Sequence, residues 1–280
     1  MYRLINYLFV FVVVYLFILE AGMQDHAMLI AGFILSGVVA YVAFLGNWIT
    51  LDATKGVIIL GTIALGFGGW ALAAAIIFFF VTSSLFTRKK RVLGVFDDNK
   101  LNSHPHLQKR RDGYQIWANG FWLTCFLIGW FLFSIDGFLV AAFTALATST
   151  SDTWATEIGT LNPGKTWEIT TGNPVEPGAD GGISVKGTLA ALAGAAAIAS
   201  FIFLSDFLVP SGMFFIVFLF GLAGCFADSI LGAAIINKSI TLPMPEDFSG
   251  NHSSFANSFV NWAATGISGI LALIMTQLLF

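Results

Sequence analysis

Charge is scarce in this sequence. Only 10% of its 280 residues are Asp, Glu, Lys or Arg, against roughly a quarter in soluble domains. Hydrophobic residues make up 57% and the mean hydropathy is +0.83, which excludes an ordinary water-soluble globule. The net charge of -3 carries no basic excess, and the basic residues collect in one region, so no nucleic-acid partner is expected. Cysteine is nearly absent. Cys125 and Cys225 sit inside apolar runs with no partner at metal-ligand spacing, which reads as two buried thiols and excludes a disulfide framework. After the first apolar run, Glu20 stands where a signal peptide would place small cleavage residues, so that run is read as a retained helix.

What is present is a series of long apolar runs. A helix needs about 20 such residues to cross roughly 30 Å of hydrocarbon. Runs of that order occur at 3–20, 27–47, 56–86, 115–134, 186–204, 209–236 and 256–279. An eighth, 137–148, is too short alone and is expected to continue helically through a Thr/Ser run toward Trp154, its polar end sheltered by protein. The run 56–86 holds GFGGW at 66–70, which predicts a tilt or kink within one span. The fold class is therefore an all-α polytopic membrane protein with seven to eight transmembrane segments and a glycine-rich polar loop. It forms one integral membrane domain over 1–280, with N-terminal helices to 86, a basic loop at 87–113 and motif-bearing helices and loops at 114–280.

Eight of the thirteen basic residues fall between Arg88 and Arg111, which by the positive-inside rule makes that loop cytoplasmic. Counting helices outward places the loops 149–185 and 237–255 on the same side, leaves Arg3 and Lys55 outside, and turns both termini away from the cytoplasm.

The polar residues among these runs need explanation. Asp228 lies about 12 Å inside a helix end at 1.5 Å per residue. An intramembrane carboxylate costs at least ~2.5 kcal/mol, so Asp228 reads as functional, or else as a hydrogen-bonded Asp in a helix packed through Gly221, Gly224 and Gly232. In DTWATE, Asp152 and Glu157 stand five apart, about 140° around a helix, while Thr153 and Glu157 share a face. Asp152 reads equally as a ligand of a hard ion such as Mg²⁺ or as the N-cap of a helix starting there. PGADGGISVKG at 177–187 is either a turn into a helix or a phosphate-binding nest of Gly181, Gly182 and Ser184 with Lys186; it is not a Walker A loop. Arg110, Arg111 and Gln115 precede another helix. Arg88 reads only as a topology determinant.

Five segments together carry a resemblance: KRRDGYQIWANG at 109–120, TSDTWATEIG at 150–159, ITTGNPVEPGADGGISVKG at 169–187, AGCFADSILGA at 223–233 and ANSFVNWAATGISG at 256–269. In this order they resemble the domain of unknown function 92 family, which includes transmembrane protein 19 and the plant phytyl-phosphate kinase. The resemblance spans roughly 80–280. It implies transfer of a phosphoryl group from a nucleoside triphosphate, CTP in the family's best-characterised branch, to a prenyl monophosphate in the membrane. Implied site residues are Asp152, Glu157 and Asp228 on Mg²⁺, with Gly181, Gly182, Ser184 and Lys186 around phosphate. Arg110 and Arg111 would steer the anions, and Gln115, Asn119, Thr170, Thr171, Ser229, Asn257 and Asn261 would complete the binding set. Asn257 stands where the family often has an acid, and Asp180 where it often has a small polar residue.

Phosphoryl transfer needs positioning and electrostatics more than a covalent nucleophile, so this set is adequate. The lipid tail is expected between helices, along Phe residues and the small-residue face of 186–200. The rival class is a secondary transporter of an ion or small anion, built on Asp228 and a broken helix at Asp152. The sequence sets no oligomeric state.

Overall fold

The computed structural model describes residues 2–92, 110–161, 164–205, 210–236 and 252–280. Its helices are α1 (Tyr2–Leu19), α2 (Met23–Leu45), α3 (Leu51–Val92), α4 (Gly113–Phe133), α5 (Asp136–Gly159), α6 (Val185–Ser200), α7 (Ser211–Ile236) and α8 (His252–Leu279). A 3-10 turn, Phe201–Leu204, extends α6. Strands β1 (Trp167–Glu168) and β2 (Gly182–Ile183) pair antiparallel inside the loop before α6. Seven of the helices, all but α5, are long and apolar enough to cross a bilayer. With α5 they make eight helices, matching the seven to eight expected, although α3 at 42 residues is long enough to cross twice.

The short segment is the axis of the molecule. As expected, α5 continues unbroken through the Thr/Ser run to Gly159, and from Gly137 to Ser151 every residue except Phe138 is buried. Its neighbours approach closely because their glycines carry no side chain: a Cβ on Gly221 of α7 would stand 2.5 Å from that of Ala147, and one on Gly224 would stand 2.3 Å from Thr148 Oγ1. Burial of the hydroxyls is offset by hydrogen bonding. Thr144 and Thr150 donate back to the carbonyls of Val140 and Leu146, Thr148 pairs with Ser268 of α8 at 2.8 Å, and Ser151 donates to Ala191 O on α6 at 3.0 Å.

The single span expected over 56–86 is corrected. Gly69, with φ 72° and ψ −174°, leaves the helical conformation inside α3. A straight α3 would hold Phe80 more than about 40 Å from Leu51 at 1.5 Å per residue. Instead the Trp48 and Phe80 rings are 5.7 Å apart, and Arg111, whose backbone bonds to Trp48 and Thr50, sets its guanidinium 5.2 Å from the Phe79 ring centre. The chain therefore reverses at Gly69, and halves 51–68 and 70–92 run antiparallel. The far end of the turn is fixed by Phe67 stacking on Phe131 at 4.2 Å. The sequence concealed this because a reversal made on one glycine needs no polar loop.

The reversal resets which end each segment reaches. Tyr2 packs on Tyr114 and the Asn6 side chain accepts from Trp117 Nε1, so α1 runs parallel to α4 and begins at the end where α4 begins. The expectation that both termini share a side is thus overturned. Every described Lys and Arg, including Arg3 and Lys55, lies at one end of the bundle, called here the polar end, while Glu20, Asp25 and Asp136 lie at the other.

Around α5 the helices form a ring in the order α3, whose 51–68 half meets α4 and whose 70–92 half faces α6, then α6, α7, α8 and α4. Successive members pack against one another, with one exception: the α3 half and α6 meet chiefly through the 3-10 turn, where Phe201 lies 5.5 Å from Phe78 at the far end.

Candidate functional site

At the polar end the helices and the 164–184 loop enclose a cavity of about 590 Å³. Its shape follows from the loop. Ile169 N bonds to Gly181 O and Val175 N to Thr166 O, which fold the segment onto itself. Gly181 then lies against α7, where a Cβ would stand 2.6 Å from that of Ala233, at a φ of +78° that disfavours any side chain. This contact carries Asp180 to the face of α7 beside Gly232.

One wall of the cavity is acidic. Asp152 of α5, Asp228 of α7 and Asp180 of the loop all line it, and each lies within electrostatic reach of the others. Asp152 is seven residues from the end of α5, so the alternative that it caps a helix is excluded. With its amide turned to satisfy its neighbours, Asn261 of α8 donates to Asp228 Oδ2 at 2.8 Å and to Asn257 O at 3.3 Å. Ser229 and Asn257 also line this wall.

Glu157 also lines the cavity, but away from the acidic wall. As the helical phase predicted, it leaves the Asp152 face, and it meets α3: Oε2 is 3.0 Å from the buried Lys90 Nζ, and Oε1 accepts from Thr87 at 2.8 Å. Thr153 lines the cavity as well. Among the described residues no three His, Cys, Asp or Glu side chains come together as a metal cluster.

The opposite wall is cationic and rich in amides. Arg88, Arg110 and Arg111 line it with Asn47, Trp48, Gln115 and Asn119. Arg110 donates to Asn47 Oδ1, and burial pushes the Arg111 guanidinium down from its usual value while the Glu157 charge opposes that shift. Gln115 also closes a capping box with Asp112 at the start of α4, its N–H donating to Asp112 Oδ1 at 3.0 Å, and Asn119 Nδ2 donates to Gln115 O. Two of the cavity's amides are therefore held by the local helix end.

The sequence profile of a family described as integral membrane protein DUF92 matches residues 34–269 of this chain. The chain belongs to that family. An uncharacterized membrane protein, MJ0933, of Methanocaldococcus jannaschii is 30% identical over 223 residues, covering 78% of this chain and 81% of that protein. Protein PGR of Arabidopsis thaliana is 29% identical over 238 residues, covering 74% and 78%. No solved structure matches.

Not every residue implied by the resemblance to DUF92 proteins reaches the cavity. Thr170 and Thr171 are exposed, and both donate to the Glu168 carboxylate, at 2.5 and 3.0 Å, outside the lining. Lys186 is exposed on α6 and is also absent from the lining, whereas Gly181, Gly182 and Ser184 are in it. Ser184 is the N-cap of α6, accepting from Gly187 N at 3.1 Å. Arg88, read from the sequence as a topology determinant alone, lines the cavity. Asn47 and Trp48 were missed, and Asp180 was read from the sequence only as a departure beside the glycine-rich loop; only the fold brings it to α7 and into the lining. The α6 stripe of Gly187, Ala191 and Gly194, expected to face a lipid tail, is filled by α5.

Proposed function

We propose that this protein is a membrane-embedded phosphotransferase that moves a phosphoryl group from a nucleoside triphosphate, CTP by resemblance, to a prenyl monophosphate. The observation that carries the reading is the cavity itself, where three aspartates face three arginines across about 590 Å³ at one end of a helix bundle. Opposed charges of this kind suit a polyphosphate that brings its own counter-cation.

The donor set is hard oxygen throughout, and two carboxylates completed by water and phosphate are a common arrangement for Mg²⁺. Asp152 and Asp228 would hold the ion, Asp180 in place of the expected Glu157 would add its charge beside them, and the ion would neutralise phosphate charge on the way to the leaving diphosphate. Arg88, Arg110 and Arg111 bind the anions and keep two like-charged substrates in one cavity. Gly181 and Gly182 let the loop fold tightly onto Ala233 of α7 and onto Ala179, which carries Asp180 to the site. A phosphate oxygen of the acceptor attacks the γ-phosphorus, the bond from that phosphorus to the β-phosphate oxygen breaks, and the nucleoside diphosphate leaves with the electron pair. A monophosphate is already ionised near neutral pH, so no general base is required. By the positive-inside rule the polar end faces the cytoplasm, where nucleotide is available.

The transporter reading loses one of its supports. α5 is continuous at Asp152, and the non-helical Gly69 of α3 lies at the far end, away from the cavity. The test is purified protein with CTP labelled at its γ-phosphate, Mg²⁺ and prenyl monophosphates of several lengths. Label should appear in the prenyl diphosphate, and Asp228→Asn should reduce it at least ~100-fold, a transition-state loss of about 2.7 kcal/mol, while the protein stays folded. Ion or anion uptake into proteoliposomes without any transfer would sink the proposal.

A further inference from the structure

The ring around α5 is sealed by interdigitation at most of its seams. Leu60 of α3 fills the space over Gly120 of α4, Trp122 and Phe126 of α4 cover Gly266 and Gly269 of α8, and Ser268 of α8 stands over Gly224 of α7. The seam between residues 70–92 of α3 and α6 differs. It is closed at the far end by Phe78 against Phe201, and toward the polar end the two helices part.

The composition of this seam is one-sided. Because Gly187, Ala191 and Gly194 of α6 face α5, the helical repeat turns Ala190, Ala193 and Ala197 toward α3. Opposite them, on the flank that follows from Phe78 and Trp154 contacts, α3 presents Val81, Leu85 and Arg88. The floor is Trp154 of α5, whose ring lies 5.9 Å from Phe78 and 5.4 Å from Phe86, with Nε1 donating to Thr82 Oγ1 at 3.3 Å. Alanines against Leu and Val leave a trough, and Leu85 and Leu189 on its rims are 49% and 60% exposed. At its polar end stands Arg88, which also lines the cavity.

We propose that this seam is a lateral groove that holds the hydrocarbon tail of a membrane lipid phosphate, with the phosphate drawn into the cavity past Arg88. The occupant follows from continuity and charge. The trough is apolar along its length, opens to the hydrocarbon region between two membrane-spanning segments, and ends at a guanidinium on the wall of an anion-suited cavity. A slender tail matches a trough one alanine deep. Burial of each tail CH₂ favours binding by about 0.8 kcal/mol, so the groove makes chain length a determinant of affinity that nucleotide binding does not share.

This inference rests on the proposed phosphotransferase reading for its substrate and for the kinetic test below, but its labelling test does not. A C20 isoprenyl monophosphate carrying a diazirine near the tail end is photolysed with the full-length protein in lipid nanodiscs, and the adducts are mapped by mass spectrometry. Adducts are expected on residues 77–85 and 189–197. Adducts confined to α1, α2, α7 or α8 would overturn the groove. Ala193→Trp, at an exposed position outside the cavity lining, should raise the KM for a C20 monophosphate about tenfold, as expected for lost apolar contacts, with the KM for nucleotide unchanged. An unchanged lipid KM in folded variant would also overturn it. Tail adducts in the seam without transfer from any nucleoside triphosphate would defeat the kinase reading and leave the groove standing, whereas transfer with adducts elsewhere would defeat the groove alone.

Discussion

Asp152 and Glu157 stand five residues apart on one helix and meet opposite partners. Asp152 joins Asp180 and Asp228 on the acidic wall, while Glu157 neutralises Lys90, whose side chain is only 1% exposed. Glu157→Gln should therefore act on stability: leaving Lys90 buried without its counter-charge costs about 3 kcal/mol, visible as a lowered Tm in detergent, with the Mg²⁺ requirement of transfer unchanged. Asp180→Asn should do the reverse, raising the Mg²⁺ concentration for half-maximal transfer about tenfold, near 1.4 kcal/mol, at unchanged Tm. A Mg²⁺ shift in the Gln variant alone would return Glu157 to the ion. Asp228 was legible in the sequence because a carboxylate is costly in an apolar run. Asp180 was not, because in a polar loop a carboxylate costs nothing until the fold sets it against α7.

At the scale of elements, the apolar runs gave helix positions within a few residues, and the Thr/Ser continuation of α5 was readable from the need to shelter its hydroxyls. The reversal of α3 was not readable. Hydropathy registers a turn through its polar residues, and this one is Gly69 between apolar neighbours. A Cβ at Gly69 would meet nothing within 4 Å, so any cost of substitution is backbone strain at its φ of +72°. Gly69→Val should lower stability by about 1–3 kcal/mol, measured by thermal unfolding in detergent. A variant as stable as the parent would remove the tight reversal.

For the whole molecule, the reversal gathers the described cations at one end and leaves Glu20, Asp25 and Asp136 at the other. Glu20→Cys and Lys165→Cys, at exposed positions, should thus react with a membrane-impermeant maleimide from opposite sides of a sealed vesicle. Were α3 a single crossing, both would react from the same side. The site's two walls draw on residues spread from Asn47 to Asn261, which is why motifs suggested their chemistry while only the fold assigned them partners.

The burial of α5 also bears on how the protein is made. Its 24 residues include Ser149, Thr150, Ser151 and Asp152, and it is the helix that does not qualify as a span on apolar character. Released alone into lipid, it would expose Ser151, whose acceptor Ala191 O belongs to a helix not yet synthesised. Stable insertion of the central helix thus waits on α6 and α7, so the ribosome must deliver the C-terminal third before the middle of the chain can settle in the bilayer.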